Sequence, residues 1–254
     1  FDDRVTAKVS AFAHHAKIVH VDIDPAEIGK NVKVDVPIVG DVKQVLRALN
    51  KLIEKTDRGA WLMELDSYRS QHPVKPRHTK DLLPQYVVEQ LYAVTKGQAL
   101  ICTGVGQNQM WAAQQYVYDE PNTLITSGGL GTMGFGVPAS LGAKVGCPGK
   151  TVWCIDGDGS FQLINQELAT MEQEGVHVKI AILNNGFLGM VRQWQDLFHK
   201  KNYVATPLTG PDFVKLAQAY GIAAERVTRK ADVVPALERA MAHDGSYLVE
   251  FVVE

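Results

Sequence analysis

The stretch DGDGSFQLINQELATMEQEGVHVKIAILNNG, residues 156–186, decides how this chain folds. Near its start an acid, Asp158, stands between Gly157 and Gly159, and it closes on the asparagines Asn184 and Asn185. Each polar cluster follows a short apolar run rich in β-branched residues, TVWCI at 151–155 and VKIAIL at 178–183. Such runs bounded by turn formers read as buried strands. Between them the spacing predicts a helix over 160–174, capped by Ser160, with Phe161, Ile164, Leu168 and Met171 as its apolar stripe and Gly175 as its end. A helix of this length returns the chain so that the second strand lies near the first. Both polar clusters then fall at the carboxyl ends of parallel strands, where doubly wound sheets bind their ligands.

The same alternation extends outward from this unit. Strands are expected at 99–103, 123–127, 151–155, 178–183, 222–227 and 247–253, with helices at 84–94, 108–117, 135–145, 160–174, 187–199, 211–220 and 231–243. This is the pattern of a parallel sheet covered on both faces, an α/β doubly wound domain over 81–254. A smaller α/β block occupies 1–55, with strands at 17–23 and 36–39 and an amphipathic helix at 42–55. Periodicity weakens over 56–80, which reads as an interdomain linker carrying a short helix around Trp61, Leu62 and Leu65.

Composition bounds the function. A chain of 254 residues with 46% hydrophobic content has ample material for a core, and a net charge of −2 offers no footprint for nucleic acid or an anionic membrane. No apolar run is long enough to span a bilayer. Cys102, Cys147 and Cys154 form no CxxC pair, which fits a reducing compartment. The chain begins FDDRVT without a methionine and reads as a piece of a longer polypeptide, so a targeting peptide would lie ahead of it.

Asp158 supplies a carboxylate and Asn185 a carbonyl oxygen, the hard donors that Mg²⁺ takes when phosphate and water complete its shell. Gly157 and Gly159 allow a close backbone approach, and the free amides of the following helix favour an anion. Each turn alone is an ordinary Asp-Gly or Asn-Gly turn; two at the ends of successive strands point to a metal held against a diphosphate. A rival reading uses GLGTMG at 129–134, a literal GxGxxG with Asp156 as the ribose acid of a nicotinamide dehydrogenase. A third class is a non-catalytic nucleotide-binding module, in which Asp22 and Asp41, each ending a short strand, bond an adenosine ribose. His14, His15 and His20 read as exposed or packing residues rather than metal ligands, since neighbours in sequence cannot present one face.

The arrangement of GDG at 157–159 and NN at 184–185 resembles the cofactor-anchoring motif of thiamine-diphosphate enzymes. TGVGQNQMWAAQ (103–114), SGGLGTMGFGVPA (127–139) and NNGFLGMVRQWQ (184–195) resemble, more narrowly, the catalytic subunit of the acetohydroxyacid synthases. FDDRVT (1–6) and VHVDIDPAEIGKN (19–31) are similar to the second half of that family's central, FAD-binding domain. The resemblance implies Mg²⁺ on Asp158, Asn185 and the main-chain carbonyl of Phe187. It implies Gly159, Ser160, Gly186, Leu188 and Gly189 around the diphosphate of thiamine diphosphate, with Gln107 and Asn108 beside it. The family usually has His where Asn108 stands. Gly131, Thr132 and Met133 would meet the cofactor, Met133 as a wedge beneath it, while Met190 and Trp194 would line the substrate pocket. Asp2, Asp22, Ile23, Asp41 and Val42 would contact FAD, and Arg4 would stand at the substrate entrance. The implied reaction joins pyruvate to a second 2-keto acid, giving acetolactate or acetohydroxybutyrate for branched-chain amino-acid biosynthesis. A homodimer or larger homo-oligomer, a small regulatory subunit, and a bacterial cytoplasm or a plastid are implied with it. The family's activating glutamate comes from a separate N-terminal domain; no residue here matches its motif, so this chain alone is expected to be inactive.

Overall fold

Two parallel strands open the chain and six more build its main sheet. The computed structural model describes residues 1–74 and 79–254, the side chains of residues 3 and 4 aside. It divides into two units, Phe1–His72 and Pro73–Glu254.

In the first unit a short α1 (Asp3–Thr6) precedes β1 (Val19–Asp22) and β2 (Val36–Val39), which pair in parallel from Val19 opposite Val36 to Asp22 opposite Val39. Helix α2 (Val42–Leu49) starts on Asp41, whose carboxylate accepts the N–H of Gln44 at 3.0 Å. It ends well before residue 55 because Asn50, a poor helix interior residue, passes into a turn closed by Leu52 N–H on Leu49 O. Helix α3 (Gly59–Gln71) is the helix expected around Trp61, Leu62 and Leu65, longer than the short one foreseen within 56–80, and every one of its residues is exposed.

The second unit holds helix α4 (Pro84–Thr95), β3 (Leu100–Thr103), α5 (Gln107–Gln115), β4 (Leu124–Ile125), α6 (Gly136–Gly146) and β5 (Val152–Gly157). It continues with α7 (Asp158–Gln162), α8 (Glu167–Glu174), β6 (Lys179–Asn184), α9 (Gly189–Phe198) and α10 (Phe213–Ala219). β7 (Ala223–Val227), α11 (Val233–Ala242) and β8 (Tyr247–Val252) complete it. All strands of this sheet run parallel in the order β4-β3-β5-β6-β8-β7.

Side chains alternate between two cores. Ile101, Trp153, Ile155, Ala181, Leu183, Val249 and Phe251 face α4, α5 and α11; Leu100, Cys102, Val152, Cys154, Ile180, Ile182 and Leu248 face α6, α7, α8 and α10. Fully burying one such side chain is worth about 1.5–3 kcal/mol, so the sheet's centre is the rigid part of the unit.

Two expectations need correction. The helix between the polar clusters is two helices, α7 and α8, because residues 163–166 form turns; Asn165 donates its side-chain amide to Gln162 O at 2.9 Å, competing with the helical ladder. Its stripe and its Gly175 end, at φ +61°, are as expected. The strand at 123–127 shrinks to Leu124–Ile125, since the chain leaves the sheet edge for the glycine-rich loop that follows.

The strand order locates the ligand edge. From β3 the chain steps outward to β4, then returns across β3 to β5 and proceeds the other way to β6. The reversal leaves a crevice at the carboxyl ends of β3 and β5, and a ligand fits where two loops diverge.

Candidate active site

An open cleft with about 440 Å³ of empty space, part of it continuous with solvent, lies at that crevice. Val105, Gly106, Gln107 and Asn108 line it from the β3–α5 loop and the start of α5, Gly157, Asp158, Gly159 and Ser160 from the end of β5 and α7, and Asn185, Phe187, Leu188, Gly189, Met190 and Val191 from the β6–α9 loop and the first turn of α9. Met133, Trp111 and Leu183 add apolar wall. The structure thus brings together Gln107, Asn108, Met133, Asp158, Gly159, Ser160, Asn185, Phe187, Leu188, Gly189 and Met190.

Asp158 is 3% exposed, and among the described residues no basic side chain forms an ion pair with it. Burial pushes its carboxyl up to about 6, while the backbone amides of Asp158, Gly159, Asn185 and Gly186 pull it back toward the charged form. The amides expected to wait for an anion are therefore turned in part to this carboxylate. A buried carboxylate without a counter-charge, beside amide and carbonyl oxygens, is the chemistry of a hard-cation site.

Asp156 lies directly beneath and is wholly buried. Burial raises its carboxyl to about 7, against the Ser160 hydroxyl, the Gly157 N–H and the Asn108 amide. One oxygen accepts from Gly157 N (2.9 Å) and Asn108 Nδ2 (3.2 Å), and the other has no partner. It fits only because Gly104 lacks a side chain: a Cβ there would stand 1.6 Å from Asp156 Oδ1. A ribose-binding acid must reach solvent, and β4 ends several residues before Gly129, so the dehydrogenase reading of GLGTMG fails on both counts.

Ser160 is not a helix cap. It sits inside α7, and its hydroxyl accepts from Gly134 N at 3.0 Å and Val105 N at 3.4 Å, tying three loops of the site together. Asn108 donates to Asp156 and accepts the N–H of Gln109, so both ends of its amide are spent on protein groups. Gly157 and Gly159 have no left-handed conformation; they leave room for Asn108 and for Leu188 and Leu208. The left-handed positions are Gly106 (φ +133°) and Gly186 (φ +68°). The strip 206–208, which the sequence did not flag, clamps the asparagine loop: Leu188 N donates to Thr206 O and Leu208 N to Gly186 O, both at 2.8 Å.

Other expected residues stand apart. Gly131 and Thr132 are exposed in the loop after β4, outside the cavity lining, with Thr132 N on Ser127 Oγ at 3.1 Å. Trp194 is 57% exposed and its ring meets that of Phe198 tilted by 48°, centroids 5.1 Å apart, so it is neither core nor cavity wall here. In the first unit Asp22, Ile23, Asp41 and Val42 share the carboxyl edge of β1 and β2. Asp22 accepts Asp24 N, Asp41 caps α2, Ile23 and Val42 are exposed, and Asp2 accepts Val5 N. The side chain of Arg4 lies outside the described residues. His14 and His15 are exposed, His20 is buried against Phe1, and no group of three metal-ligating side chains exists among the described residues.

Residues 104–251 match the model of the thiamine pyrophosphate enzyme C-terminal TPP-binding domain. The chain belongs to the thiamine pyrophosphate enzymes. Residues 1–49 match the central domain of the same enzymes. The chain is 48% identical to an acetolactate synthase of Mycobacterium bovis, over 100% of this chain and 43% of that protein. It is 48% identical to the acetolactate synthase large subunit of Corynebacterium glutamicum, with 100% and 42% covered, and 47% identical to the chloroplastic acetolactate synthase 1 of Oryza sativa over the same shares. The chain thus spans less than half the length of these relatives. No helix among the described residues is long and apolar enough to cross a membrane.

Proposed function

We propose that this chain is the cofactor-anchoring part of an acetohydroxyacid synthase, joining pyruvate to pyruvate or 2-ketobutyrate with loss of CO₂. The products are acetolactate or acetohydroxybutyrate, precursors of branched-chain amino acids. The observation that carries this reading is the meeting of Asp158, Asn185 and Phe187 on one cavity at the strand-order reversal. The carboxylate of Asp158, the side-chain oxygen of Asn185 and the carbonyl of Phe187 would hold Mg²⁺, and the uncompensated buried charge of Asp158 fits it.

When bound, the thiazolium of thiamine diphosphate supplies the electron sink for decarboxylation. The chain's own part is placement and a dry setting. Gly159 and Gly189 keep the cradle open, because a Cβ on either would meet Leu188 or Gln107 at 2.9 Å or less. Met133, Leu183, Leu188, Met190 and Val191 line the cavity with apolar surface, which strengthens every polar contact inside it. Ser160 and Gln107 position the loops. Among the described residues the lining carries one carboxylate, Asp158, so the group that protonates the aminopyrimidine comes from outside this cavity. The chain alone therefore binds without turnover.

The first unit is read as part of an FAD-binding domain, with Asp2, Asp22, Ile23, Asp41 and Val42 toward a cofactor that undergoes no net redox change. The match of residues 1–49 to the central domain and the shared edge of β1 and β2 support this. The large-subunit name of relatives supports a small regulatory subunit as partner, and association with a second copy is proposed from the family resemblance alone. Calorimetric titration of thiamine diphosphate with and without Mg²⁺ tests the core of the proposal. Asp158→Ala should abolish the Mg²⁺-dependent binding, and unchanged affinity in that variant overturns it.

A further inference from the structure

Three side-chain amides and one backbone amide form a single file beside the cavity. The N–H of Phe187 donates to Asn185 Oδ1 at 3.1 Å, Asn185 Nδ2 donates to Gln107 Oε1 at 3.3 Å, and Gln107 Nε2 donates to Gln193 Oε1 at 3.0 Å. The file crosses from the β6–α9 loop to the start of α5 and back to α9. It is built with little slack: a Cβ on Gly189 would stand 2.1 Å from Gln107 Oε1 and 3.0 Å from Asn185 Nδ2. Gly189 and Gln193 are four residues apart on α9 and so share a face, one making room for Gln107 and the other receiving it.

A carboxamide has an acceptor end and a donor end of nearly equal shape, and its neighbours decide which points where. For Asn185 the choice matters, because a hard cation takes the oxygen and is repelled by the NH₂ group. We propose that Gln193 is a positioning residue: by accepting from Gln107 it locks the Asn185 amide with its oxygen, not its nitrogen, toward the metal. This rests on the reading of Asn185 as a Mg²⁺ ligand. The polarity is single-valued along the file. A group at position 193 that only donates would draw Gln107 Oε1 to itself and turn Gln107 Nε2 against Asn185 Nδ2. Asn185 then escapes by flipping, which gives up the Phe187 bond and faces nitrogen to the cation.

The test compares Gln193→Lys, a donor only, with Gln193→Glu, an acceptor only, in the 254-residue chain. Titration of thiamine diphosphate with Mg²⁺ or Ni²⁺ is the readout. The Lys variant should lose Mg²⁺-linked affinity by about 10- to 100-fold, the usual range for outer partners of metal ligands. Its Ni²⁺-linked affinity should fall with it, because a neutral carboxamide NH₂ offers no free lone pair to either metal. The Glu variant should stay close to wild type with both metals. Equal behaviour of the two variants overturns the proposal while leaving the functional reading intact. Failure of the wild-type chain to bind with Mg²⁺ overturns both. If the Lys variant does not fold, the side-chain amide resonances of the metal-free wild type decide: a hydrogen-bond coupling from Asn185 Nδ2 to the Gln107 carbonyl supports the file, and its absence overturns it.

Discussion

Asp158→Asn should stabilise the metal-free chain while destroying its metal-linked binding. A carboxyl held at about 6 instead of its ordinary 3.8 costs about 3 kcal/mol when ionised. The substitution keeps the shape and removes the charge. Its NH₂ group would face one of the amides now aimed at the carboxylate, a lost hydrogen bond of about 1 kcal/mol. A net gain of about 2 kcal/mol remains, or about 4–8 °C in melting temperature for a chain of this size. The sign depends on pH. Below 3.8 the carboxyl is protonated folded and unfolded, and the penalty is absent; it grows as pH rises from 3.8 to about 6 and is complete above that. The advantage of Asn should therefore be full at pH 7.5 and largely gone at pH 4. Thermal unfolding of both proteins in chelator at the two pH values measures it. Adding Mg²⁺ and thiamine diphosphate should raise the wild-type midpoint and leave the variant's unmoved. A variant less stable than wild type at pH 7.5, or equally stabilised at both pH values, would refute the picture of a buried charge waiting for a cation.

Gly104→Ala should cost several kcal/mol, since its Cβ would overlap the wholly buried Asp156 carboxylate. Gly159→Ala meets only the methyl ends of Leu188 and Leu208 and should cost about 1 kcal/mol or less; equal denaturation midpoints for the two would contradict this packing. The isolated chain should give no acetolactate in a colorimetric assay, and turnover would show that the cavity already holds its activating acid. In the full synthase, Trp194→Leu should lower the preference for 2-ketobutyrate over pyruvate, acceptors that differ by one methylene worth about 1–3 kcal/mol in an apolar pocket. Competition between the two acids measures it, and an unchanged product ratio confines Trp194 to its ring contact with Phe198.

What could be read from the sequence was whatever has a local period or a local spacing. The strands β3, β5 and β6 are built on apolar runs, β8 on one interrupted by Glu250, the helices carry apolar stripes, and GDG and NN stand at strand ends, so the parallel sheet and its ligand edge were legible. The break between α7 and α8 was not, because it depends on one asparagine choosing the backbone of Gln162 over solvent. The clamp of residues 206–208 on the asparagine loop was not legible either. It is made of backbone bonds, and ATPLTG shows no periodicity that would predict them.

Long-range polar contacts explain the remaining surprises, and Asn108 shows how. As a sequence position it departs from the family's His, which made its contact with the cofactor the weakest of the residues carried over. In the fold it is 4% exposed and gives an N–H to Asp156, a residue that sequence alone could place only as a ribose acid. A neutral imidazole and a carboxamide can each offer an N–H donor at this point. What the position demands is a donor toward a buried carboxylate that already lacks a partner on its second oxygen. Without that donor the buried carboxylate would keep only the N–H of Gly157, a loss of about 1–3 kcal/mol directly beneath the turn that carries Asp158. Asn108 supplies that donor here, and so helps fix Asp156 and, through Gly157, the turn that presents Asp158.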